Sequence, residues 1–336
     1  MKSISIDIVV HDRCQASSVF LIIDLILAAN FAAKKYLKVV EPLFHYQLIG
    51  LKKTAVAYNG AEIKSIKKIR DSKKPDIVVI PGIFEAVLAY DKSQKYLEAM
   101  LPLLSKLKTW HQEGCIIASV CTGNYLLASA KISSGRSLTC HWSSQDTAKK
   151  LFPHENFETN KLLIDHGDIV SAGGAMAVSQ LVLYLISRCH SRELSLLTGK
   201  LMMVDFNIEG QSRFAVFKPK IVQNDKLVAK LQCHIEREFS EKTDIFQFAS
   251  KEGISERQLY RRFKTATGET PLTYLQRYRV ERVKLSLESK NLPFDSLIRD
   301  VGYEDMASFR RLFKRFTGLT MLEYRNRFSY ERYGNL

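Results

Sequence analysis

A cysteine on the turn between a strand and a helix is a place where thiol chemistry can be built. Cys121 has that setting: Ala118-Ser119-Val120-Cys121-Thr122-Gly123 closes an apolar strand pattern and opens a helical one. Such an elbow lifts a nucleophile clear of its neighbours. A helix N-terminus there favours the thiolate. Gly82 and Ile83, after a neighbouring strand, are candidates to offer backbone N–H groups to an anion or a carbonyl oxygen. His141, in Thr139-Cys140-His141-Trp142, is the candidate base, and Thr122 and Gly173 complete the candidate pocket. The competing reading makes Cys121 a small buried hydrophobe and His141 a core histidine with its hydrogen bonds met.

A second set of residues suggests a different chemistry. Arg261–Tyr274 and Arg311–Tyr324 are two copies of one pattern, fifty positions apart. Arg261, Phe263, Lys264, Thr267, Gly268, Thr270, Leu272 and Tyr274 recur as Arg311, Phe313, Lys314, Thr317, Gly318, Thr320, Leu322 and Tyr324. A repeat of this kind is one supersecondary unit used twice. In the first copy Asp244–Glu252 reads as a helix stopped by Gly253, and Ser255 with Gln258 reads as a capping box for the next helix. Leu259 and Phe263 face inward, while Arg257, Tyr260 and Arg261 share another face. In the second copy Phe294–Val301 is the first helix, Gly302 the turn and Asp305 the cap. Phe309 and Phe313 face inward there, and Arg310 and Arg311 point away. The long helix Leu272–Leu287 joins the two.

Helix, tight turn, helix is the geometry that lays a second helix in the major groove of DNA. Arg257, Tyr260 and Arg261 are the candidates to read one groove segment, and Met306, Ala307, Arg310 and Arg311 the next. An arginine fork bonds guanine O6 and N7 together. Lys264 and Lys314 fit phosphate contacts. A plain helical hairpin with a solvated basic face is the alternative for one unit, and two linked copies make it the weaker reading.

The elements that must hold Cys121 lie upstream. Ile4–Val10, Phe44–Gly50, Asp76–Ile80, Cys115–Val120 and Asp168–Ser171 read as strands. Ser18–Lys35, Ser93–Glu113, Gly123–Ala130 and Ala175–Arg188 read as helices. Asn59-Gly60 is a hairpin signal between short extended pieces. The alternation predicts a mostly parallel sheet covered on both faces, with ligands at the strand carboxyl ends. Val204–Gln223 lacks periodicity and contains Asn207, Gly210, Gln211, Ser212 and Pro219, so it reads as a linker. Lys226–Phe239 begins the helical region, and Phe328–Leu336 reads as a frayed tail.

The 336 residues allow two cores, and the formal net charge is +15. That charge favours an anionic partner. Residues 224–336 carry +6 of it and the remainder +9, so bulk charge does not single out the repeat region. The six cysteines show no CxxC and no metal spacing, which predicts reduced thiols and no metal or cofactor. The opening residues read as a strand rather than a signal peptide, so the expected compartment is the cytoplasm. The most apolar run, Val19–Ala33, is interrupted by Asp24 and Asn30 and falls short of the roughly 20 residues of a membrane span.

Two resemblances sharpen these readings. Gly302–Gly318, followed by Tyr324 and Arg325, resembles the signature of the AraC/XylS family of transcriptional regulators, which implies DNA as partner. Met321 stands where that family usually has proline, and Ile298 where it usually has a small residue, a role Ala249 keeps in the first copy. The second unit is therefore expected to seat less typically. Ile4–Met203 resembles a ThiJ/PfpI domain, of the version fused to AraC-type domains in GlxA-type regulators. The residues carrying this are Ala16-Ser17-Ser18-Val19, Pro81-Gly82, Ser119–Ala130, His141-Trp142 and Ser171–Ala177. It implies a flavodoxin-like parallel sheet covered by helices, with Cys121 and His141 at the positions of the family's cysteine and histidine. Ser18 falls where many members carry a carboxylate beside the cysteine, so the acid is missing and a binding pocket is implied rather than an active site.

The expected organisation is an α/β sensor domain (1–203), a linker (204–223) and an all-α DNA-binding domain with two helix-turn-helix motifs (224–336). The expected function is a sequence-specific transcriptional regulator, not an enzyme. Its expected partners are double-stranded DNA, a small-molecule effector, a second copy of itself and, as a further candidate, RNA polymerase. The alternatives are a cysteine-dependent hydrolase, amidase or glyoxalase-like enzyme, or a Cys121 thiol or carbonyl sensor, each with a DNA-binding module.

Overall fold

The computed structural model describes residues 3–83, 90–206, 210–219, 222–241 and 244–330. The sequence divides into two compact units, Met1–Gln211 and Ser212–Leu336, so the division falls inside the stretch read as a linker. Asn207, and the tail beyond residue 330, lie outside the described residues.

In the first unit the strands are β1 (Ile4–Val10), β2 (Phe44–Gly50), β3 (Thr54–Val56), β4 (Glu62–Lys64), β5 (Lys67–Lys68), β6 (Ile77–Ile80), β7 (Ile116–Val120), β8 (Leu163–Asp165) and β9 (Ile169–Ala172). Seven of them form one sheet in the order β5-β2-β1-β6-β7-β9-β8. Every pairing in it is parallel except β8 with β9, and β3 and β4 form the separate hairpin around Asn59-Gly60. The helices are α1 (Ala16–Tyr36), α2 (Tyr90–Ala99), α3 (Leu101–Gln112), α4 (Asn124–Ser129), α5 (Gln145–Leu151), α6 (Val178–Cys189) and α7 (Arg192–Leu201). Strand alternation sends Ile6, Ile8 and Val10 to a core shared with α1 and α6. Val9, Val78 and Ile80 go to the opposite core, against Leu103, Leu107 and Trp110 of α3.

Two readings change. The single helix expected over Ser93–Glu113 is two, because Pro102 at the start of α3 allows no continuous helical hydrogen bonding through Met100. The apolar run near the N-terminus is a helix of 21 residues, long and apolar enough to cross a membrane by length and composition. Half of its apolar window is buried in the first core, with Val19, Ile22, Leu25, Ile26 and Ala29 inward. Its exposed side carries Phe20, Leu27 and Phe31.

The second unit is helical: α8 (Lys226–Arg237), α9 (Ile245–Lys251), α10 (Glu256–Thr267), α11 (Pro271–Ser289), α12 (Phe294–Arg299), α13 (Met306–Thr317) and α14 (Met321–Phe328). It has two small cores that share α11. Tyr274 and Leu275 pack with Leu259 and Phe263, while Val280, Val283 and Leu287 pack with Phe309 and Phe313.

Candidate functional site

The two copies of the repeat fold alike, and most repeated residues do the same structural work. Thr267 Oγ1 donates to Phe263 O at 2.7 Å and Thr317 Oγ1 to Phe313 O at 2.8 Å. Gly268 and Gly318 end α10 and α13 at φ 86° and 76°, where a side chain would be strained. Tyr274 sets its ring edge-on to Phe263, and Tyr324 to Phe313, each at 5.5 Å between centroids. Their hydroxyls donate to Glu236 and Glu288, both at 2.6 Å. Thr270 and Thr320 cap α11 and α14. What remains of the repeat on the surface is Arg261 and Arg311, Lys264 and Lys314, and Leu272 and Leu322.

Each helix-turn-helix is assembled as its sequence indicates. Asp244 caps α9, Ser255 and Gln258 form the capping box of α10, and Asp305 accepts from Ala307 and Ser308 N–H groups to cap α13. Leu259, Phe263, Phe309 and Phe313 are fully buried. Gly302, at φ 75°, lies so close to Ser240 that an added Cβ would stand 2.0 Å from its carbonyl oxygen. Arg257, Arg261 and Arg311 are exposed and have no ion-pair or hydrogen-bond partner among the described residues, while Tyr260 and Met306 are half-buried and Ala307 is exposed. Arg310 differs: its guanidinium pairs with Asp295 of α12 at 2.7 Å. Arg262, next to Arg261, is held in a fork by Asp225 at 2.7 and 2.9 Å.

The expected looser seating of the second unit has no counterpart in its packing. Ile298 is 0% exposed, among Leu297, Val301, Phe309 and Phe313. Met321 is buried at the start of α14, whose capping box (Thr320 with Glu323) is complete without proline. The larger side chain at 298 fills a core that also takes in Leu312, Val301 and Tyr324.

Sequence reasoning missed Arg279, which braces the two units of the repeat. It is buried, donates from Nε to Phe239 O at 2.6 Å and from Nη2 to Glu241 O at 2.9 Å, and lies over the Tyr303 ring. Its position in α11 between two apolar faces resembles any solvated arginine of a helix, so no local signal marked it.

At the other end of the sequence, Cys121 closes β7 and opens a 3-10 turn that leads into α4. Its φ of 58° is the left-handed conformation of a strained elbow. The thiolate expectation is overturned. Cys121 is 5% exposed, and burial pushes its thiol up to about 11. The helix that follows is short, and desolvation outweighs its dipole. The thiol is hydrogen-bonded to Thr122, and no hydrogen bond joins it to His141 among the described residues. His141 Nδ1 is engaged by Ser143, at 2.7 Å to Oγ, and its ring is tilted against Trp142. Burial lowers its pKa, so it stays neutral.

The proposed oxyanion donors also have other partners. Ile83 N–H donates to Thr122 Oγ1 at 2.9 Å, and Thr122 returns a bond to Ile83 O at 2.6 Å. Gly82 accepts from Gln15 N–H, and a Cβ on it would stand 3.2 Å from that of Cys121. Ser18 is buried, and its Oγ has no hydrogen-bond partner among the described residues. Asn124 donates Nδ2 to Cys121 O and Ala172 O, both at 2.9 Å, and so ties the elbow to the end of β9. Gly173 follows at once, and an added Cβ there would stand 2.1 Å from Nε2 of Gln211. Among the described residues, no group of three His, Cys, Asp or Glu side chains is placed to hold a metal ion.

Family models match both units. A DJ-1/PfpI family model covers residues 37–188 and a helix-turn-helix domain model covers 248–327. The first begins after α1, so it does not include Ser18. The HTH-type transcriptional regulator CdhR of Pseudomonas aeruginosa is 23% identical over 309 residues, which span 86% of this chain and 87% of that protein. The HTH-type transcriptional regulator GlxA of Rhizobium meliloti is 23% identical over 325 residues, 91% of this chain and 95% of that one. Among solved structures, a putative transcriptional regulator from Vibrio parahaemolyticus superposes with a TM-score of 0.51 at 15% identity. It covers 60% of this chain and 100% of that one, a likeness of fold.

Proposed function

We propose that this chain, which joins a DJ-1/PfpI-family domain to an AraC-type helix-turn-helix domain, is a sequence-specific DNA-binding transcriptional regulator. The observation that carries this is the sorting of the repeat. Its aromatic, threonine and glycine positions are used up in folding, while its arginines stay exposed on α10 and α13. Arg257, Tyr260 and Arg261 read one groove segment, and Met306, Ala307, Arg310 and Arg311 the next. Lys264 and Lys314 meet phosphates. Arg310 must leave Asp295 to do so, which makes it the weaker contributor.

The first unit then serves as sensor and dimerisation domain. Its elbow, with Ser18, Gly82, Cys121, Thr122 and His141, is the place for a small-molecule effector. The enzyme reading is disfavoured, because a protonated thiol without an adjacent base is a poor nucleophile. The same burial disfavours Cys121 as a fast thiol sensor. The exposed side of α1, with Phe20, Leu27 and Phe31, is the face we assign to a second copy. On this reading the compartment is the cytoplasm, and RNA polymerase is a candidate partner at the promoter.

The test is binding of the full chain to mixed-sequence duplex DNA, followed by fluorescence anisotropy as salt is raised. Counterion release predicts an affinity that falls by about tenfold or more between roughly 50 and 200 mM salt. Binding that ignores salt, or none at low salt, overturns the reading.

A further inference from the structure

We propose that Gln211 is a positioning residue that couples the turn bearing His141 to the second helix-turn-helix, an inference that rests on the regulator reading above. The residue is 2% exposed, and it is the last of the first unit. Its side-chain amide is spent on one turn and the segment beside it. Oε1 accepts from Trp142 N–H at 3.1 Å, and Nε2 donates to Cys140 O at 2.8 Å and Lys161 O at 2.9 Å, with Thr139 Oγ1 at 3.2 Å. Its backbone N–H donates to Asn160 O, and Gly210 pairs with Lys161. The amide fills the space left by the missing side chain of Gly173, directly after the strand end that Asn124 ties to Cys121. A change at the elbow therefore reaches Gln211 through Ala172, Gly173 and Trp142.

The next residues belong to the second unit and are fixed as firmly. Ser212–Phe214 forms a 3-10 turn that packs beside α13. Arg213 is buried. Phe214 sets its ring edge-on to Phe328 of α14. Ala215 O accepts from Lys284 Nζ at 2.6 Å, and Phe217 N–H donates to Glu281 at 3.2 Å. Lys284 and Glu281 are themselves a buried pair on α11, at 2.7 Å, so this strap completes their hydrogen bonding. Phe217 packs edge-on against Tyr274, with Arg277 over its face. One residue, Ser212, separates an anchor buried in the first unit from one buried in the second. Gln211 and the strap are consecutive in the chain: when an occupant of the elbow shifts the His141–Trp142 turn, Gln211 loses its acceptors, and the start of the strap on α11, α13 and α14 frays.

Gly173→Ala is the sharpest probe, because its methyl takes the place of the Gln211 amide. Gly174→Ala is its control, since a Cβ there meets nothing nearer than 3.7 Å. Hydrogen exchange would be measured on full-length parent, Gly173→Ala, Gln211→Ala, the double variant and Gly174→Ala, with duplex affinity at one salt concentration alongside. We expect exchange over 212–217 and α13 to quicken about tenfold in Gly173→Ala and Gln211→Ala, the effect of one or two lost hydrogen bonds. Duplex affinity is expected to change with it. The double variant should match Gln211→Ala, and Gly174→Ala should match the parent. Faster exchange confined to residues 139–142, or equal effects of Gly173→Ala and Gly174→Ala, overturns the coupling. If Gln211→Ala fails to fold, Gly173→Ala decides alone. A parent that binds no duplex contradicts the regulator reading instead, and the exchange comparison still decides the coupling.

Discussion

Cys121 shows how one residue can have the sequence context of a nucleophile and the environment of a core side chain. Its elbow geometry is present, with φ at 58°. Burial decides its protonation, and it holds the thiols of Cys115 and Cys140 higher still, at about 12. The linkage has a definite sign. A group whose folded pKa is raised keeps its proton longer in the folded state, so stability is full below the unfolded thiol value of about 8.5 and falls as pH rises. Urea unfolding should therefore show declining stability from about pH 8.5 upward, and less decline in Cys121→Ala. At neutral pH, iodoacetamide should label exposed Cys233 well before Cys121. Equal labelling rates would mean that the thiol is open and ionised after all. The strand-turn-helix around Cys121 was legible from local residue types. Its protonation was not, because that depends on the packing of remote elements around it.

Among elements, the repeat was the most legible part of the chain. Its contacts lie within a few turns, as in Thr267 to Phe263 or Ser255 to Gln258, so spacing and caps specify it. The three-layer unit was legible in its strands and less so in its helices. α5, α7 and the edge strand β8 are harder to read because they are short and only partly buried. Gln211 was read as a linker residue, since its partners lie 50 to 72 positions away. Arg279 was missed for a similar reason, and it supplies the prediction at this scale. Its removal leaves the partly buried carbonyls of Phe239 and Glu241 without this donor and opens space beside Tyr303. Arg279→Ala should cost about 2–4 kcal/mol of unfolding free energy, read from the urea midpoint of the second unit's transition. A cost within about 0.5 kcal/mol would place it among ordinary surface residues.

For the whole molecule, on the proposed reading, the formal net charge of +15 serves long-range attraction to DNA, and the discrimination is assigned to the exposed arginines of α10 and α13. A dimer through α1 would bring four such helices to one operator and explain an apolar stripe that no part of the described fold covers. Phe31 is 53% exposed at the C-terminal end of that stripe. Sedimentation should find a dimer for the parent and a monomer for Phe31→Glu, with the fold unchanged. Equal masses for the two would remove α1 as the interface.

The central claim is that two helices read two segments of one duplex. Selection of binding sites from a randomised duplex library by the full chain, at one fixed salt concentration, tests it most directly. Two recognition helices on one face of DNA should lie about 34 Å apart, so the selected sites should hold two preferred segments about ten base pairs apart. Arg261→Ala should erase preference in one segment and Arg311→Ala in the other, each at a cost of about 1–3 kcal/mol. With Ile298 and Met321 as well packed as their counterparts, neither loss is expected to dominate. No enriched sequence, or equal loss of affinity on every sequence in both variants, would contradict the account, because the arginines would then be touching phosphate alone.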